Sequence, residues 1–247
     1  MFPIRDHNPS GGTPYVVYAL MAANVLAYLG YAGIMGDDRA LSHFFYEWAI
    51  VPARISDGHG YQTLFTSMFL HAGFLHLAGN MLFLWIFGDN LEDEMGHAGF
   101  ALFYLAAGIG AGLVHVITAP QSLVPTVGAS GAIAGVMGGY LLLFPRARVD
   151  ILFIIVIFFR VVAVPAWLML GVWLGLQFIG SLHADPNGGG VAYWAHTGGF
   201  IVGLVLTLPF WLRRGGTAFW SRTHGRPPHP EKTYKLAASR IPKVPRR

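Results

Sequence analysis

The chain has 247 residues, of which 54% are hydrophobic and only 11% are Asp, Glu, Lys or Arg, less than half the charged share of an ordinary globular domain. Its mean hydropathy of +0.52 and its clumped charges leave long runs that water could not solvate, which excludes a soluble fold and points to a polytopic membrane protein. The absence of cysteine excludes disulfides, thiol nucleophiles and cysteine-ligated metals. The net charge of +4 hides two opposite parts: residues 1–212 carry six basic and eleven acidic residues, and residues 213–247 carry ten basic and one acidic.

In chain order, residues 1–14 include Arg5 and Asp6, show no signal-peptide pattern, and read as a short cytoplasmic N-terminus. Apolar runs at 15–35, 64–88, 98–119, 127–144, 161–182 and 191–212 then predict six membrane-crossing helices, each near the ~20 residues that a bilayer core requires. The fold class expected is all-α, a six-transmembrane-helix bundle over 15–212. Residues 36–63 form one large external loop, in which Trp48 and Pro52 suggest partial burial at the interface. The apolar stretch 151–159 is too short to cross as a helix and is closed by Arg160; it reads as a re-entrant or interfacial segment leading into span five.

Lys/Arg asymmetry sets the orientation. Arg146, Arg148 and Arg160 follow span four and the basic tail follows span six, which places both loops, and hence both termini, on the cytoplasmic side. The acidic loop with Asp89, Glu92, Asp93 and Glu94 is the exception. Residues 213–247 read as a disordered basic tail that touches anionic lipid headgroups rather than nucleic acid.

Polar groups inside the spans carry the functional signal, because they are costly there. They are His71, His76 and Asn80 on span two, His115 on span three, Ser130 at the start of span four and His196 near the start of span six. On the six-span topology they share one depth, below the outer surface. His76 and Asn80 lie one helical turn apart and present one face. Ser130, at a helix N-terminus, has unpaired backbone N–H groups beside it. A carbonyl placed there would find donors for its oxyanion in the Ser130 amide, Asn80 and His76, and His196 could activate Ser130 as a nucleophile. With no acid in any span, this is a Ser–His dyad, and something other than a carboxylate must fix the imidazole tautomer. Small-residue stripes at Gly131, Gly135 and Gly139, and at Gly199 and Gly203, would let spans four and six approach closely.

These residues resemble the rhomboid family of intramembrane serine proteases. Gly128-Ala129-Ser130-Gly131 is similar to the family's nucleophile motif, Ala195-His196 with its following glycines to its base helix, and His71, His76 and Asn80 to its second-span motif. The resemblance implies that Ser130 is the nucleophile and His196 the general base. Asn80, His76 and the Gly128 segment would stabilise the oxyanion or substrate. It further implies no metal or cofactor, and single-span membrane proteins as substrates. Two positions depart from the pattern: Gln62-Thr63 stands where many members carry Trp-Arg, and Ala134 where some carry a tyrosine that stacks on the base. His196 must then be held by other packing.

Two other classes fit parts of the pattern. Histidines at one depth suit a metal transporter or a haem-binding membrane protein, but that reading leaves the glycine-flanked serine unexplained. A proteolytically inactive relative that binds membrane helices would lack the serine or the histidine, and this chain has both.

Overall fold

The computed structural model describes residues 2–155, 158–185 and 188–230. It is mostly helical. After a strand β1 (Phe2–Asp6) the chain forms α1 (Tyr15–Tyr31), α2 (Asp38–Trp48), α3 (Pro52–Ser56), α4 (Thr63–Thr66), α5 (Phe74–Met95), α6 (His97–Thr118) and α7 (Ser130–Leu143). Strands β2 (Arg148–Ile155) and β3 (Phe158–Pro165) come next, then α8 (Ala166–His183), α9 (Tyr193–Arg213) and α10 (Thr217–Thr223).

Among the described residues, four helices are long and apolar enough to cross a membrane: Tyr15–Ile34, His97–Thr118, Ala166–His183 and Tyr193–Arg213. The expected second span is broken rather than continuous. Thr63–Phe69 and Phe74–Met95 meet at 94°, so residue 71 sits in the break and α5 carries Asp89, Glu92, Asp93 and Glu94 in its last turns. The break is pinned by Tyr31, whose hydroxyl donates to His71 O at 2.8 Å and accepts from His71 N at 2.6 Å.

The stretch between spans four and five differs from expectation, and with it the all-α class. Strands β2 and β3 form an antiparallel pair, and β1 adds to the other side of β2 in the order β1-β2-β3. Span five accordingly starts at Ala166 rather than at 161. The physical reason is readable. A run rich in Ile, Val and Phe favours strand over helix, and Pro165 blocks a helix from continuing through it but can precede a first turn. Asp150 fastens the sheet, accepting from Arg5 Nε at 2.7 Å and lying 2.7 Å from His7 Nε2.

The acidic exception to the charge rule also finds its cause. Pro14 offers α1 no side-chain cap, and the buried Glu92 supplies one, accepting from Val16 N at 2.9 Å and Val17 N at 2.8 Å. Asp89 accepts from Ser10 N, Asp93 from Gly11 N, and Glu94 pairs with Arg214 at 2.8 Å. These acids serve helix and chain ends locally and say little about topology.

The start of the basic tail is folded, contrary to the disordered reading. Helix α10 docks on the bundle through Trp220 Nε1, which donates to Leu142 O at 2.8 Å; residues 231–247 lie outside the described ones. The N-terminal strand, the β2–β3 pair and residues 214–230 therefore meet at one end of the bundle.

The core lies between α5, α6, α7 and α9, filled by Phe87, Phe100, Tyr104, Tyr140 and Phe200. Helices α7 and α9 cross with backbones almost touching. A Cβ added to Gly135 would lie 2.5 Å from Ala107 Cβ and 3.2 Å from Gly199 O, and one on Gly199 or Gly203 would fall on the α7 backbone itself. Each glycine of the two stripes thus occupies a contact that no larger residue fits. Helix α7 has 14 residues and spans only about 21 Å, against a hydrocarbon core of ~30 Å. It is shorter than the core it would have to cross.

Candidate active site

Ser130 is the first residue of α7, where the amides of the opening turn have no intrahelical acceptor. The close α7–α9 crossing brings it to His196, one turn into α9, with Ser130 Oγ 2.8 Å from His196 Nε2. The other imidazole nitrogen, Nδ1, lies 2.8 Å from Gln177 Oε1 on α8. An amide oxygen can only accept, so Nδ1 holds the proton, and Nε2 is left with the lone pair that accepts the Ser130 hydroxyl. Ser130, His196 and Gln177 thus form one hydrogen-bonded chain, with a neutral amide as its third member.

Trp173, one turn before Gln177 on α8, packs beside the imidazole with ring centroids 5.9 Å apart and then against Phe200 at 6.2 Å. It supplies the aromatic neighbour missing at Ala134. Sequence reasoning missed both residues. The available signal was a glutamine inside an apolar span, four residues after a tryptophan.

His76, Asn80, His115, Gly128, Ser130 and His196 line one cavity of about 720 Å³. Asn80 is buried, and its Nδ2 has no hydrogen-bond partner. An unpaired buried donor of this kind is expensive, and it sits in the wall of the cavity that holds the serine. His76 lies against Gly128: a Cβ at Gly128 would come within 2.9 Å of the His76 ring, and Gly128 holds φ +132. Only glycine suits both the backbone and the space. The Gly128 amide donates to Ser67 O at 3.0 Å, so this residue contributes room for the His76 ring rather than a donor.

The remaining histidines separate from this group. His71 is fully buried in the break before α5, with its ring 5.1 Å from that of His76. His115 Nε2 lies 2.9 Å from Thr126 Oγ1, on the segment that exchanges backbone hydrogen bonds with Ile50. Among the described residues no three His, Asp or Glu converge as a metal-ligand set. Both ring nitrogens of His71 and Nδ1 of His115 are buried without a hydrogen-bond partner.

Around the cavity, Thr63 Oγ1 donates to Gly60 O at 2.7 Å and Thr66 Oγ1 to Trp48 O at 2.7 Å. Arg54 donates to Tyr46 O and lies over the Tyr46 ring, 4.4 Å from its centroid. These contacts anchor the 36–63 segment, where Gln62-Thr63 replaces the expected Trp-Arg pair.

Comparison with known proteins identifies the family. A rhomboid domain pattern matches residues 58–213. Over 159 residues, 64% of this chain and 28% of the relative, the sequence is 33% identical to the rhomboid protease GluP of Bacillus subtilis. It is 34% identical over 149 residues, 56% of this chain and 39% of the relative, to the mitochondrial Rhomboid protein 1 of Saccharomyces cerevisiae. A 70-residue stretch, 28% of this chain and 25% of the relative, is 47% identical to the chloroplastic Rhomboid-like protein 11 of Arabidopsis thaliana. The chain spans between about a quarter and two fifths of the length of these relatives. The pattern covers more than half of the chain, including the six cavity residues named above, and this integral membrane protein belongs to the rhomboid family, known for intramembrane serine proteases.

Proposed function

We propose that this chain is a serine endopeptidase that hydrolyses peptide bonds in or beside the transmembrane helices of single-span membrane proteins. The observation that carries the reading is the 2.8 Å contact between Ser130 Oγ and His196 Nε2, with Gln177 on the far nitrogen. Ser130 Oγ attacks the scissile carbonyl carbon while His196 Nε2 takes the hydroxyl proton. The carbonyl oxygen, now an oxyanion, receives hydrogen bonds from the Ser130 amide, from Asn80 Nδ2 and from His76. The C–N bond then breaks as His196 returns the proton to the leaving amine. Water enters, gives a proton to His196, and attacks the acyl-serine; the proton returns to Ser130 Oγ as the acid product leaves. Gln177 keeps the imidazole in the tautomer that both halves require and acts as a positioning residue.

The wider setting is part of the same reading. The chain crosses the bilayer six times, counting α5 and the short α7, with both termini in the cytoplasm. The start of the short α7 lies below the non-cytoplasmic surface, where water reaches Ser130 from outside. The end that gathers residues 214–230 meets the anionic headgroups of a plasma or inner membrane. The test is cleavage of a model single-span substrate in liposomes by the wild type beside Ser130→Ala. Cleavage by the wild type alone supports the reading, and equal cleavage by both overturns it.

A further inference from the structure

At the end of the bundle opposite Ser130, a second cavity stands apart from the proposed chemistry. It measures about 690 Å³ and is walled by Arg146, Arg222, Arg226, His224 and His229. Asp93 pairs with His229 at 3.1 Å, Arg222 donates to Arg214 O at 2.7 Å, and Arg226 has a partner of its own; among the described residues no carboxylate lines the cavity itself. Guanidinium groups gathered around one concavity repel one another, and an anion between them relieves that repulsion.

The cavity is built rather than draped. Arg146 N donates to Gly225 O at 2.8 Å, joining the turn after α7 to the end of α10. Asn8 Nδ2 donates to His229 O at 2.8 Å, which fixes the far side of the loop to the N-terminal segment. His224 holds φ +55 at the C-terminus of α10, followed by Gly225 at φ +69. A left-handed histidine persists only where its surroundings over-determine it. Three separate stretches of chain thus converge to hold the basic groups in one place.

The size and the donors together define the ligand. The volume lies within the ~300–1,000 Å³ range of small-molecule sites, too large for a lone halide. Guanidinium forks match phosphate oxygens in pairs. The same end of the bundle carries the end of the apolar α9 at Arg213 and a Trp211–Trp220 pair with centroids 4.9 Å apart, the aromatic type enriched at membrane interfaces. We propose that this basic cavity binds a phosphate-bearing anion, either the phosphomonoester headgroup of an anionic lipid or a soluble diphosphate. Its occupation does not depend on the protease reading.

The test uses the full chain in nanodiscs of phosphatidylcholine, with and without phosphatidic acid, and inorganic pyrophosphate as the soluble probe. Native mass spectrometry counts bound phosphatidic acid, and calorimetry follows pyrophosphate. Saturable binding is expected. It should weaken on the order of tenfold per guanidinium removed in Arg146→Gln with Arg222→Gln. The paired control Lys243→Gln with Arg246→Gln removes the same charge from the terminal segment and should bind as the wild type does. Arg146→Lys keeps the charge and the fold but loses the fork, and should bind more weakly than the wild type. Pyrophosphate binding alone assigns a soluble ligand, and phosphatidic acid displaced by pyrophosphate assigns a lipid; both support the site. The absence of saturable binding for either probe, or equal losses in the pocket and control variants, overturns it.

Discussion

Replacing Gln177 by leucine isolates the feature that a Ser–His dyad most needs and that no carboxylate here provides. Leucine fills nearly the same volume but removes the acceptor 2.8 Å from His196 Nδ1. The Nδ1–H is then unpaired in a half-buried site, a loss of about 1–3 kcal/mol. The imidazole is also free to carry its proton on Nε2, where it cannot accept from Ser130. At about 1.4 kcal/mol per factor of ten, turnover should fall roughly 5- to 150-fold. Gln177 touches the base and not the substrate, so the loss should appear in kcat with KM unchanged. Gln177→Glu keeps an oxygen at the same reach and should restore most of the rate. The assay is steady-state cleavage of a single-span substrate in liposomes, with thermal melts to confirm equal folding. Wild-type kcat in Gln177→Leu, or a loss confined to KM, would refute the positioning argument.

Other variants probe the rest of the account. Asn80→Ala removes the unpaired donor in the cavity wall and should lower kcat by about 10²–10³, read in the same assay; a near-normal rate contradicts the oxyanion role. Gly203→Ala places a Cβ on the Gly135 backbone and should destabilise the protein by about 1–3 kcal/mol while abolishing cleavage, as melts and assays together would show. The carboxyl of Asp6 is pushed up to about 8 by its burial and by nearby Asp89, against the hydrogen bonds from Tyr140 and Asn90. Between its ordinary 3.8 and about 8 the folded chain holds a proton that the unfolded chain has released, so stability should fall as pH rises through that window and level off above it. Melting temperatures from pH 5 to 9 should decline in the wild type and stay flatter in Asp6→Asn; parallel slopes in the two would count against this assignment.

Much of the site was legible because membrane burial makes polar residues conspicuous. Ser130, His196, His76 and Asn80 stand out from apolar runs, and the topology expected from those runs already set them at one depth. The cavity that holds all four follows from that pattern together with the two glycine stripes. Gln177 was less visible because one neutral amide in a span does not differ by type from a residue that bonds a neighbouring helix; only the crossing of α8 with α9 aims it at His196. The β2–β3 pair was hidden for another reason. An apolar run gives its hydrophobicity but not its conformation, and the partner that satisfies the edge of β2 is β1, residues 2–6, far away in sequence. The break before α5 depends in the same way on a distant group, the Tyr31 hydroxyl. The cluster Asp89, Glu92, Asp93 and Glu94 looked like a topology signal because its real partners are chain-end amides that sequence spacing does not reveal.

The most direct test of the central claim is labelling with a fluorophosphonate probe, mapped by peptide mass, in the wild type, Ser130→Ala and His196→Ala. The account predicts one adduct, on Ser130, formed readily in the wild type and lost or severely slowed in both variants. An adduct elsewhere, or equal labelling of Ser130 without His196, would contradict it.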